Sequence, residues 1–220
     1  MKKGVITLLF SILLLSGGLI SNAQTDRQAL LEQARNGNAE AMYQMGLRLY
    51  RGVDSRSNFT AAVEWFQKAA NAGHTLAMTQ LGTAYYFGEG VGKNYTKAIY
   101  WYQKAAERGH VEAMRLLGVC YEDGFGTAVN LGKARSWYEK AAEQGDATAM
   151  YFLGELYRLG KGVAKDESRA SYWYEMAAEN GHGKSMLIMA DRYERGIGVR
   201  ANKEKAQDWT LRAHAMGQYF

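Results

Sequence analysis

Cysteine occurs once in the 220 residues and proline not at all. A lone Cys120 cannot close an internal disulfide or supply a thiolate zinc site, so neither framework holds this chain together. Net charge is scarce as well. There are 27 Lys and Arg against 22 Asp and Glu, a balance of +5, and without Lys2 and Lys3 it falls to +3. A value so near neutral gives no reason to expect nucleic acid or an anionic membrane as the main partner. What is present in ordinary amount is apolar surface: 47% of the residues are hydrophobic, which suits a folded chain and excludes general disorder.

The first 23 residues read as an address. Lys2 and Lys3 form a basic start, Val5 to Leu15 is almost wholly apolar, and Ser21 and Ala23 put small residues where a signal peptidase reads. The apolar run is interrupted by Ser16, Gly17 and Gly18 and falls short of the ~20 residues a spanning helix needs, so cleavage after Ala23 is expected rather than a membrane anchor. No membrane insertion is expected after processing. The chain from Gln24 on is expected to be exported, periplasmic or secreted.

The rest is one unit written five times. All five tryptophans, Trp65, Trp101, Trp137, Trp173 and Trp209, fall 36 residues apart, and a fixed period of this size marks a solenoid. Ala-Met opens the unit at Ala41, Ala77, Ala113 and Ala149, with Ser185-Met186 as the fifth copy, so the repeats are placed at 41–76, 77–112, 113–148, 149–184 and 185–220. Gly52, Gly88, Gly124, Gly160 and Gly196 should stop a first helix, because glycine accepts the left-handed backbone of a helix C-terminus. Six residues on, Asn58, Asn94, Asn130, Asp166 and Asn202 should cap a second helix. Residues 24–40 fit the same lattice as a lone capping helix, with Thr25 as its N-cap and Ala34 in the register of Ala70. Neither helix of a unit can bury its apolar face alone, so neighbours must stack.

These residues carry a resemblance. Ala77, Leu81, Gly82, Tyr85, Gly88, Gly90 and Val91, followed by Lys97, Ala98, Trp101, Tyr102, Lys104, Ala105, Ala106, Gly109 and His110, are similar to the Sel-one-like repeat (SLR), a relative of the tetratricopeptide repeat. Asp54 and Ala190 depart from its glycine pattern. The resemblance implies an all-α fold, a right-handed superhelical solenoid of five 36-residue helix-turn-helix repeats with an N-terminal capping helix. It also implies a role as adaptor or scaffold for protein complexes, in exported bacterial members at the envelope or in host contact.

No chemical motif survives against its structural reading. Gly183-Lys184-Ser185 lacks the glycine that a phosphate loop needs five residues earlier, where Ala178 stands. His74, His110 and His182 share one repeat position on units about 20 Å apart, too far for a shared ion, and are expected to cap or bridge helices. Some cysteine-rich cousins of the repeat are linked to penicillin binding, but no Ser-x-x-Lys occurs here. Cys120 has no His or Lys neighbour in its helix. The chain is therefore read as no enzyme, with no cofactor and no metal; a penicillin-binding or β-lactamase-like enzyme is the remote alternative. Lysines at 68, 97, 104, 133, 140 and 205 interleave with glutamates as a solvated, salt-bridged convex face.

The inner wall is what the lattice leaves open. At 3.6 residues per turn, the third, seventh, tenth and eleventh positions of each unit face away from the second helices. They hold Tyr43, Leu47, Tyr50 and Arg51; Thr79, Thr83, Tyr86 and Phe87; Arg115, Val119, Glu122 and Asp123; and Tyr151, Glu155, Arg158 and Leu159. Tyrosine and arginine anchor protein interfaces, so Tyr43, Tyr50, Arg51, Tyr86, Phe87, Arg115 and Tyr151 are taken as the concave site for a protein or peptide partner. The alternative is a structural scaffold of the envelope that self-associates weakly through an uncapped edge of Trp209, Leu211, Tyr219 and Phe220.

Overall fold

The structure, a computed structural model, describes residues 25–53 and 56–218. Residues 1–24, which include the expected signal peptide, and Asp54, Ser55, Tyr219 and Phe220 lie outside the described residues. Residues 25–35 form α1. It is followed by α2 (Ala39–Arg51), α3 (Phe59–Asn71), α4 (Thr75–Phe87), α5 (Tyr95–Ala106), α6 (Val111–Asp123), α7 (Leu131–Glu143), α8 (Ala147–Leu159), α9 (Glu167–Glu179), α10 (Gly183–Arg195) and α11 (Lys203–Ala215). The fold is an all-α solenoid of five helix-turn-helix repeats behind an N-terminal capping helix. Its contacts divide it into two compact units, one running to Ala84 with Gly88–Gly92, the other taking Tyr85–Phe87 and everything from Lys93.

The punctuation does what its chemistry predicts. Each second helix begins where the side-chain oxygen of Asn58, Asn94, Asn130, Asp166 or Asn202 accepts the backbone N–H three residues on. Each first helix stops at a left-handed glycine, as at Gly124, whose N–H returns to the carbonyl of Cys120. Thr25 is already helical, so the N-cap of α1 is not at that residue.

In the first unit α1 covers the start of the array. Ala34 packs with Ala41 and Met45, and Leu30, Leu31, Met42 and Trp65 close around them. The pair α2 and α3 approaches closely because Gly46 has no Cβ: one there would stand 2.5 Å from the Phe66 ring. The second unit repeats the device at Gly118 against Tyr138 and at Gly154 against Tyr174, two of the most deeply buried side chains of the chain. In the fifth copy Ala190 replaces the glycine and Thr210 stands where the ring would be. The methionines at 78, 114, 150 and 186 are buried in the packing, as is Cys120.

Two surface expectations are corrected. Trp209 is only 5% exposed; it lies in a core with Ala170, Tyr174, Met186, Met189 and Ala213. The Lys-rich second helices pair with rings more than with glutamates: Lys68 lies over Trp65 at 4.5 Å, Lys140 over Trp137 at 4.2 Å and Lys104 over Tyr100 at 5.1 Å.

Candidate partner-binding surface

The first helices carry the candidate side chains. In the first unit Tyr43 is only 8% exposed, its ring stacked on His74 at 4.5 Å and tilted against Phe66. It is therefore not a wall residue: helix spacing alone counted it as open, but His74, which caps the first helix of the next repeat, lies over it. Tyr50 is half-buried, with its hydroxyl donating to Glu89 at 2.9 Å and its ring edge-on to Phe59. The hydrogen bond to Glu89 holds the Tyr50 phenol above its ordinary value. Arg51 is exposed.

In the second unit the wall begins with an aromatic cluster. Tyr86 meets Phe87, Tyr95 and Phe125 edge-on with centroids 4.9 to 5.4 Å apart, and Phe87 remains 60% exposed. An apolar ring that open, held by neighbours that are themselves packed, is an anchor geometry. Along α6, Arg115 reaches Asp146 at 3.2 Å, and Glu122 accepts from the Tyr138 hydroxyl and from Lys161, both at 2.9 Å.

Between α8 and α10 the surface opens into a groove of about 770 Å³. The four repeat-four wall positions read from the sequence, Tyr151, Glu155, Arg158 and Leu159, all line it. Tyr174 and Arg192 lie at its base, the Arg192 guanidinium 4.9 Å from the Tyr174 ring and bonded to Ser171 at 2.8 Å and Glu167 at 2.9 Å. Burial would raise the Glu155 carboxyl, but hydrogen bonds from Arg158 and Tyr174 outweigh it and hold it below its ordinary value. Burial, then the Glu155 partner, raises the Tyr174 phenol. The sequence reading missed Lys184, Leu187, Ile188 and Arg192, which all lie on α10. The 36-residue register carried over to α10 would have placed Leu187 and Asp191 on this wall.

Among the described residues no three His, Cys, Asp or Glu side chains are placed to hold a metal ion together. His74 and His182 each head their own helix, Nδ1 accepting from Ala77 and Ser185 at 3.2 Å, and His110 stands at the same position of α6. Burial pushes the Cys120 thiol up to about 12, which leaves no thiolate nucleophile near neutral pH. No helix among the described residues is long and apolar enough to cross a membrane.

Comparison with known proteins gives a consistent picture. The Sel1 repeat family matches residues 39–74, 75–110, 111–146, 147–182 and 183–217, each starting where a first helix starts. A Sel1 repeat protein from Oxalobacter formigenes is 34% identical over 93% of this chain and 86% of its own, with a TM-score of 0.80. A protective antigen present in uropathogenic Escherichia coli strains is 35% identical over 87% of this chain with a TM-score of 0.82, and the match spans 41% of the antigen's length. An immunity protein from Pseudomonas aeruginosa, at 24% identity over 82% of this chain and 65% of its own with a TM-score of 0.53, shares the fold. A search of curated proteins returns no match.

Proposed function

This chain belongs to the Sel1 repeat family, whose fold serves as a scaffold for protein–protein interaction, and from that premise we propose that it is an exported adaptor. It binds a protein or peptide along the open faces of its first helices. The observation that carries the reading is the second unit's wall: exposed Phe87 on a packed aromatic cluster, then Arg115 and Tyr151, then the groove beside α8. Within the first unit, taken by itself, Tyr50 and Arg51 are proposed as partner contacts, and Tyr43 is covered by His74. Export rests on the leader pattern of Lys2, Lys3 and the apolar run to Leu15.

A photo-crosslinking residue placed at Phe87 or Tyr151 in living cells should yield one heterologous adduct, and the same residue at Lys104 or Lys140 none. Phe87→Ala should lower partner affinity by roughly 2 kcal/mol, as for a central aromatic anchor, and leave the helical signal unchanged. Adducts from Lys104 and Lys140 alone would move the site to the second helices and defeat the reading. The self-assembling scaffold remains the second reading because Leu211 is 61% exposed on α11; adducts between copies at Leu211, with none at Phe87, would favour it.

A further inference from the structure

We propose that the groove between α8 and α10 takes an extended segment of the partner that bears an acidic side chain and, two residues further on, an apolar one. This rests on the adaptor reading and specifies its ligand. The charges lining the groove are uneven: Arg158, Lys165, Lys184 and Arg192 face Glu155, Glu167 and Asp191. Every one of those carboxylates is engaged. Arg158 holds Glu155 at 2.6 Å, Arg192 and Lys165 share Glu167 at 2.9 and 3.2 Å, and Asp191 has Arg195 at 3.4 Å.

Lys184 is the exception. Its ammonium takes the Tyr151 hydroxyl at 2.7 Å and lies 4.8 Å from the ring centroid, and among the described residues no carboxylate stands within ion-pair distance of it. An ammonium has three donors and Tyr151 takes one, so two remain for other acceptors. The ring that holds it is itself fixed, stacked on His182 at 4.8 Å, and a cation positioned in advance loses little freedom on binding. The incoming group that gains here is an anion, by charge complementarity.

The apolar half of the ligand follows from helix geometry. Leu187 and Ile188 lie three and four residues after Lys184 on α10, so they face the groove about one turn, ~5.4 Å, along the axis. An extended chain returns its side chains to one face every second residue, about 6.6 Å apart. In a segment running in the same direction as α10, an acidic residue on Lys184 therefore sets the residue two positions on against Leu187 and Ile188. The acid is a side chain rather than a chain terminus, because a lone lysine is a point charge without the fork or backbone nest that captures a terminal carboxylate.

The full chain, immobilised, would be panned with a random dodecamer display library, and the enriched sequences made as acetylated peptides, each with an amidated and with a free carboxyl terminus, for anisotropy titration. They should share acid-x-apolar. Changing the acid to its amide, or Lys184→Gln in the protein, should weaken binding about fivefold, within what one partly exposed ion pair supplies. Lys184→Glu should abolish it, and a peptide with Lys for the acid should restore it. Binding only by peptides with a free carboxyl terminus would overturn the proposal. So would peptides indifferent to Lys184 and lost in Phe87→Ala, an outcome that keeps the adaptor reading. Failure to enrich any peptide would count against both.

Discussion

Gly118 stands in the middle of α6 where the Tyr138 ring presses on the helix backbone, and a Cβ added there would fall against the ring carbons. The ring cannot retreat. Tyr138 is fully buried, its hydroxyl donates to Glu122 at 2.9 Å, and its face stacks on Phe152 at 5.1 Å. Alanine would gain up to ~1 kcal/mol of helix propensity, yet overpacking a filled site costs about 1–3 kcal/mol. Gly118→Ala should therefore lower stability in urea unfolding. Gly132→Ala in α7, whose new Cβ would meet only the Asn130 side chain at 3.6 Å, should be neutral or stabilising. Equal gains in both variants would show that the glycine is not there for helix approach. The exchange in repeat five follows the same logic, with Ala190 tolerated where Thr210 replaces a ring.

At the scale of the element, the two caps of a repeat differ in how they respond to pH. Second helices are headed by Asn or Asp, but first helices by Asn38, His74, His110, Asp146 and His182. His74 and His182 cap through a lone pair on Nδ1, which protonation removes, whereas His110 heads α6 without a side-chain cap bond and titrates only as a half-buried imidazole. Burial, then Lys184, lowers the His182 value against the opposing pull of Asp146, and burial lowers that of His110 against Glu112. With folded values below the ordinary 6.5, the unfolded chain binds protons first as pH falls. This contribution to stability is complete above 6.5, declines as pH drops through it, and levels off below the folded values. The melting temperature should fall by about 2–4 °C between pH 7.5 and 5 for each ~1 kcal/mol so lost. A variant with His110→Asn and His182→Asn removes both titrating imidazoles and leaves an amide oxygen able to accept at each helix head, so its melting curve should be flatter over that range; an unchanged slope would place the acid sensitivity elsewhere. The capping position was legible in the sequence as a 36-residue recurrence of His. The asparagine and aspartate that share it, Asn38 and Asp146, were not read as part of the set, because they alternate in chemistry while keeping one job.

In the whole molecule, legibility follows the lattice. Helix number, order and ends were readable because glycine, asparagine and tryptophan recur for local backbone reasons. Which wall residues stay open was not, because that depends on which side chains of other helices and loops pack over them. Tyr43 was counted as open and is covered by His74; Trp209 was counted as an uncapped edge and is enclosed among Met186, Met189 and Ala213. The groove needed α10 as well as α8, so its lysine was invisible one repeat at a time. A chain built this way gains stability from each interface between neighbouring repeats, and that can be tested by removing the last one. Deleting the chain from Gly183 onward would uncover Ala170, Tyr174 and Ala178, which pack on Met186, Met189 and Ala190, and would take Arg192 away from Ser171 and Glu167. Tyr174 would still be held by Gly154 and Glu155. The shortened chain should keep its helical content per residue and unfold at lower urea with a smaller dependence on denaturant, since less surface is exposed on unfolding. It should lose acid-x-apolar peptides and still give the Phe87 crosslink. Loss of the Phe87 crosslink with helicity intact would mean that the binding surface needs the fifth repeat throughout, and the division into an aromatic wall and a separate charged groove would have to be abandoned.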